Sequence, residues 1–221
     1  MSTMRVYLKL AGGLLLASLV FLTLCGADKK AKPFDYGRIE NGKYLNSFFG
    51  LEITLPSDWF ILNKSQMQNI AEKGKELIAG DDEKMKKMIK AAKVEDATLL
   101  GIFKYEKGAA VDYNPNLMLA VGNLKNTPGI KTGKDYLFHI RKLLKQTQLY
   151  DSIDEECEKE IINNQEFYLM STSMKIFELK ITQTYYATVR NGFALVLAIS
   201  FVDDEEKDTL EKTVKSIKFS E

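Results

Sequence analysis

The apolar and polar positions change rhythm several times along the chain. Arg5 and Lys9 precede residues 10–24, a run without charge, and polarity returns at Asp28 and Lys29. From there to residue 46, charges mix with Pro33, Gly37 and Gly42 and no apolar period is visible, which predicts a tether. Strict alternation in Leu51-Glu52-Ile53-Thr54-Leu55 predicts a half-buried strand, ended by the turn chemistry of Pro56-Ser57-Asp58. Trp59, Phe60 and Ile61 follow as a predicted core cluster. The period then becomes helical. Met67, Ile70, Ala71, Leu77 and Ile78 lie on one stripe, with Ser65 and Gln68 as a capping box and Gly80 as the stop. Asp81 or Asp82 opens a second predicted helix, with Met85, Met88, Ile89 and Ala92 on one face and Lys84, Lys86, Lys87, Lys90 and Lys93 on the other.

Beyond Ala97 the period returns to two. Residues 98–105 and 117–124 read as strands, joined through Lys107-Gly108 and Asn114-Pro115-Asn116. Thr127-Pro128-Gly129 breaks the chain, and Leu137, Ile140, Leu143 and Leu144 then form the stripe of a helix over 133–148, capped by Thr132 and carrying His139 on its polar face. Residues 158–162, 165–174, 177–190 and 193–202 read as successive strands with Asn163-Asn164 and Asn191-Gly192 between them. Asn-Gly between apolar runs predicts a tight hairpin, because both turn positions need positive φ. Asp203 or Asp204 caps a last helix with Leu210, Val214 and Ile217 inward. Consecutive hairpins without crossovers predict an α+β fold, an antiparallel sheet with helices packed on its faces.

The opening order of basic, apolar and polar segments is that of a secretory leader, and its apolar part is short of the roughly 20 residues that span a bilayer. Leu22-Thr23-Leu24-Cys25-Gly26 resembles the lipobox of bacterial lipoproteins, in which the Cys receives a diacylglycerol and becomes the first mature residue. Cleavage before Cys25 leaves a lipid-anchored protein; Cys25-Gly26-Ala27 also offers a small-x-small site whose cleavage after Ala27 frees the protein, and an uncleaved anchor is the third route. The domain plan is therefore a signal sequence over 1–27, a tether over 28–43 and one α+β domain over 44–221.

Composition narrows the function classes. With 221 residues, 45% hydrophobic and 28% charged, the chain belongs among globular proteins that bury a sizeable core. Lys and Arg number 31 against 30 Asp and Glu, a net charge of +1 that provides no field for collecting nucleic acid. The two cysteines are Cys25 and Cys157, so with the first lipidated or removed the second has no intramolecular partner. Cys157 lies in Asp154-Glu155-Glu156-Cys157-Glu158, an acidic setting that raises a thiol pKa, and it reads as a small buried residue on a strand.

Phe48-Phe49-Gly50-Leu51-Glu52-Ile53-Thr54-Leu55-Pro56-Ser57-Asp58-Trp59 resembles the strand-Pro-x-x-Trp opening of PsbP-like domains. Residues 185–190, Asn191-Gly192-Phe193-Ala194-Leu195 and the helix ending in Val214-Lys215-Ser216-Ile217-Lys218-Phe219 are similar to their last hairpin and helix. The resemblance extends over most of the chain after the leader and includes the DcrB-like bacterial lipoproteins. It implies an α/β/α sandwich, in a group whose members mostly bind or assemble.

Catalytic chemistry finds little support. The single histidine, His139, is flanked by Arg141 and Lys142, no Gly-x-Ser-x-Gly elbow is present, and no zinc, EF-hand or phosphate-loop spacing occurs. Asp203-Asp204-Glu205-Glu206 is explained by a helix N-terminus, and residues 151–160 by a solvated acidic edge. No cofactor or metal is expected. The expectation is a noncatalytic, envelope-tethered binding or assembly module. Its expected membrane contact is a lipid on Cys25, and Lys84, Lys86, Lys87, Lys90 and Lys93 form a candidate membrane-surface or partner patch. A protein or small-molecule partner is expected at the sheet face or at a loop containing Tyr105, Tyr113 and Asn114. The competing expectation is an envelope enzyme, such as a hydrolase, whose site carries no recognisable motif.

Overall fold

The computed structural model describes residues 34–80, 83, 97–147 and 149–220. The leader, Cys25, the first part of the tether and the lysines at 84, 86, 87, 90 and 93 lie outside these residues. In chain order the elements are β1 (Arg38–Glu40), β2 (Lys43–Asn46), β3 (Leu51–Thr54), β4 (Phe60–Ile61), α1 (Lys64–Ala79), β5 (Ala97–Phe103), β6 (Asn116–Asn123) and α2 (Gly133–Thr147). They continue with β7 (Ser152–Ile153), β8 (Glu158–Ile162), β9 (Gln165–Ile176), β10 (Leu179–Arg190), β11 (Phe193–Phe201), α3 (Asp204–Lys215) and β12 (Lys218–Phe219).

The hairpins of the second half build the main sheet, in the order β4-β5-β6-β11-β10-β9-β7 with β8 also on β9, and every pairing in it is antiparallel. Asn191 and Gly192 have φ of 52° and 78°, which is the mirror-image turn the dipeptide predicts between β10 and β11. Alternation then sends successive side chains of β11 to opposite faces. Leu195, Leu197, Ile199 and Phe201 share a core with Leu210 and Val214 of α3 and with Ile217 just beyond its end, while Ala194, Val196 and Ala198 share one with Leu137, Ile140 and Leu144 of α2. Asp203 caps α3, its carboxylate accepting from Glu206 N at 2.8 Å. This is the expected α+β architecture.

A second, four-stranded sheet, β1-β2-β3-β12, lies over the α3 face and contributes Tyr44, Leu51 and Ile53 to that core. The tether expected over 28–43 is accordingly corrected for residues 34–43. Asn41 and Gly42, with φ of 50° and 72°, make the same mirror-image turn as Asn191-Gly192 and pair β1 with β2. Asp35 fixes the segment: its carboxylate accepts from Gly37 N at 2.8 Å and from Ser47 N at 2.8 Å and Oγ at 2.7 Å. Those bonds, led by the Ser47 hydroxyl, hold its pKa below the usual carboxylate range.

Four local expectations change. Trp59 is half-buried against the α3-side core, but Phe60 and Ile61 are exposed, because β4 is a two-residue edge strand beside β5 rather than part of the core. The cap of α1 is Asn63, whose Oδ1 accepts from Gln66 N while Gln66 Oε1 accepts from Asn63 N, both at 2.9 Å, so the capping box sits two residues before Ser65 and Gln68. Phe177 lies in the β9–β10 turn at φ 55° and is exposed, ahead of the strand expected to begin with it. Cys157 is half-buried and immediately precedes β8.

Candidate functional site

Helices α1 and α2 share one face of the main sheet, but they do not cover it equally. Beside α1 a cleft of about 270 Å³ opens between the first half of the helix, β4 and the chain joining β5 to β6. Apolar side chains form most of its wall: Phe60, Ile61 and Leu62 from β4 and its exit, Ile70 from α1, Phe103 from the end of β5, and Val111 from the connection. Phe60 and Ile61 are 46% and 42% exposed, an unusual degree for large side chains standing next to each other.

The local sequence explains the opening. Gly101 allows Leu62 to cross close over β5: a Cβ there would press on Leu62 Cδ1 and Met118 Sδ, both at 2.9 Å. Leu62 N donates to Gly101 O at 2.8 Å, which brings the chain off β4 and into Asn63 and α1. On the other side Asn114 takes the place of a strand partner. Tyr105 N donates to its Oδ1 at 3.0 Å and its Nδ2 donates to Tyr105 O at 2.8 Å. With Lys104 N bonded to Pro115 O at 2.9 Å, these bonds carry the β5–β6 ladder past Phe103 and hold the connection clear of the sheet. Glu106 O accepts from Ala109 N at 3.1 Å, closing a turn through Gly108 at φ 99°.

Of the three residues expected as a binding loop, Tyr105 and Asn114 line the cleft and Tyr113 does not. Tyr113 is 5% exposed and turns into the α2-side core, where its hydroxyl hydrogen-bonds Ser200 Oγ and burial drives its pKa upward. Alternation decides this outcome, since neighbouring residues of an extended segment face opposite ways. Phe60, Ile61 and Ile70, which supply much of the apolar wall, carry no signal that separates them from core residues: in sequence they are ordinary apolar positions of an edge strand and a helix.

Charge at the rim is uneven. Lys104 is engaged, its Nζ 3.5 Å from Glu206 Oε1 and 5.5 Å from the Tyr105 ring centroid. Burial alone would lower its pKa, but Glu206 and Tyr105 together raise it. Glu206, nearly buried, also accepts from Val202 N at 3.1 Å. Lys64, at the start of α1, lies over the Tyr36 ring at 4.4 Å. Lys73 and Lys107 line the cleft with Glu106, and neither lysine forms a salt bridge among the described residues.

His139 and Cys157 stand elsewhere, on or near α2. Burial, then Lys142, lower the pKa of half-buried His139 against the opposing pull of Asp135. Cys157 Sγ accepts from Arg141 Nη2 at 3.2 Å. Its thiol pKa is raised, as expected, but mainly by burial; Asp154 contributes least and Arg141 works the other way. The acidic setting read from the sequence is therefore a minor cause. Glu155 is drawn off by Lys145 at 2.7 Å, and Asp154 accepts from Ser171 N at 2.7 Å on β9. Among the described residues no group of three or more His, Cys, Asp or Glu side chains is placed to hold a metal ion. No described helix is long and apolar enough to cross a membrane.

No protein-family model matches the chain, and no curated protein matches it. Three solved structures are similar in fold. One is a Bacteroides thetaiotaomicron protein at 12% identity and TM-score 0.43, covering 83% of this chain and 50% of its own, so the chain spans about half the length of that protein. The second is LpqN, described as involved in cell envelope biogenesis of Mycobacterium tuberculosis, at 12% identity and TM-score 0.43, with 77% of this chain and 83% of that one covered. The third is the cyanobacterial PsbP of Synechocystis, at 12% identity and TM-score 0.46, with 88% and 98% covered.

Proposed function

We propose that this protein is a noncatalytic binding module of the cell envelope, exported and tethered through Cys25, which takes an apolar ligand in the cleft between α1, β4 and the 104–115 connection. The observation that supports the reading is the adjacency of exposed Phe60 and Ile61 to a concave, mostly apolar wall. Ligand sites are typically concave and apolar with a few polar groups at fixed positions, and Gln66, Asn69 and Asn114 are such groups here. The noncatalytic part rests on the two side chains best suited to chemistry. Neither His139 nor Cys157 lines the cleft, and Cys157 is held toward its thiol form, the poorer nucleophile.

The cleft is tested with the full chain in phosphatidylcholine nanodiscs, isoleucine methyl groups labelled with carbon-13, and decanol as a neutral apolar probe. Shifts are expected at Ile61 and Ile70 and not at the buried Ile199. Ala109→Trp, which fills the cleft from its exposed loop, is expected to abolish them; shifts that survive this substitution refute the cleft. The tether is tested by Cys25→Ser, which is expected to move the protein from the membrane to the soluble fraction. A serine variant still bound to membranes refutes lipid anchoring.

A further inference from the structure

We propose that the ligand of this cleft is a monocarboxylate with a short apolar chain, its chain on Phe60, Ile61 and Ile70 and its carboxylate on Lys73 or Lys107. The inference rests on the cleft being a binding site and adds the chemistry of what it takes. Size is the first constraint. A volume of about 270 Å³ equals that of roughly nine liquid waters and falls just below the range of about 300–1,000 Å³ usual for drug-sized ligands. That space matches a single short chain and is small for a two-chain lipid.

Charge is the second constraint. Two lysines and one glutamate line the cleft, and the cations of this region differ in how they are used. Lys104 is neutralised by Glu206 and Lys64 rests on Tyr36, whereas Lys73 and Lys107 have no ion pair among the described residues. An unneutralised ammonium beside a low-dielectric wall attracts an anion more strongly than one in open water. The lining therefore complements an amphiphile with a negative head and works against one with a positive head.

The experiment compares decanoate, decanol and decyltrimethylammonium on the full chain in phosphatidylcholine nanodiscs, reading the Ile61 and Ile70 methyl groups and correcting for probe taken up by empty discs. Decanoate is expected to bind at least about threefold tighter than decanol, as one rim-exposed charge pair supplies, and the cation is expected to bind weakest. The double variant Lys73→Gln, Lys107→Gln is expected to erase the preference for decanoate over decanol. Equal affinities for decanoate and decanol, or a preference that survives the double variant, overturn the acidic head and leave the cleft standing. No methyl response to any of the three probes overturns the cleft itself, and the acidic head with it.

Discussion

Helices α1 and α2 are neighbours on the same sheet face, yet one seals it and the other leaves a cleft. α2 buries Gly133, Tyr136, Leu137, Ile140 and Leu144, an unbroken stripe at helical spacing. Of the described side chains of α1, Met67 alone is buried, and Ile70 is half-buried at the cleft wall. Their footings differ as well. The first residue of α2, Gly133, sits so close to β10 that a Cβ would overlap Ala187 O, whereas α1 starts where Leu62 and Asn63 leave a two-residue edge strand. A helix that docks by a continuous stripe on a central strand has no room beneath it. One that starts beside the edge strand β4, with Met67 the one buried among its described side chains, leaves Phe60 and Ile61 exposed, and that surface is where binding can occur.

This contrast can be broken most forcefully at Leu137. Leu137→Ala is expected to cost about 2–5 kcal/mol in denaturant unfolding, because the side chain is fully buried between α2 and the sheet. Gly133→Ala is expected to cost about 1–3 kcal/mol, since the added methyl meets a backbone carbonyl that moves only with its strand. Both effects belong to the sealed half. An unchanged midpoint for either variant would mean that α2 is not held as described.

Acid should sharpen the difference. Asp135 accepts from Lys131 N at 3.0 Å and from Thr132 N and Oγ1 at 2.9 Å, and these bonds, led by that of Lys131, depress its pKa. A depressed carboxyl contributes stability that is present above its unfolded pKa and lost as the pH falls through the lower folded value. Asp135→Asn should therefore lie below the native protein in melting temperature at pH 7, and the gap should close as the pH drops below about 4. A gap independent of pH would assign the cap to geometry alone. The smallest effect is expected in the open half: Ile70→Ala should cost less than about 1 kcal/mol, as half-exposed positions usually do, while weakening decanol at the Ile61 methyl.

Much of the frame was legible in the sequence because it rests on local rules. Asn191-Gly192 names its own turn, the pair Asp203-Asp204 its own helix start, and the stripe of Leu137, Ile140 and Leu144 its own buried face. Asn41-Gly42 carries the same turn signal, but its flanking strands, Arg38–Glu40 and Lys43–Asn46, are too short and polar to show alternation, so the hairpin looks like tether in the sequence. The binding loop was legible in part. Tyr105 and Asn114 reach the cleft, and Tyr113 points inward because the phase of a connection is set by what it packs on.

The sequence by itself determined the period of the long strands and of α2 and α3, the Asn191-Gly192 turn and the start of α3, since each depends on residues a few positions apart. Tertiary structure decided what those elements cover. Phe60, Ile61 and Ile70 look like core residues in a list, and they become a cleft wall because β4 is an edge with no further strand among the described residues beside it. Lys73 and Lys107 look like any solvated lysines, and they become rim charges because a helix and a loop, more than thirty residues apart in the chain, are brought to the same opening. Burial and proximity are properties of packing, and packing is not periodic along the chain.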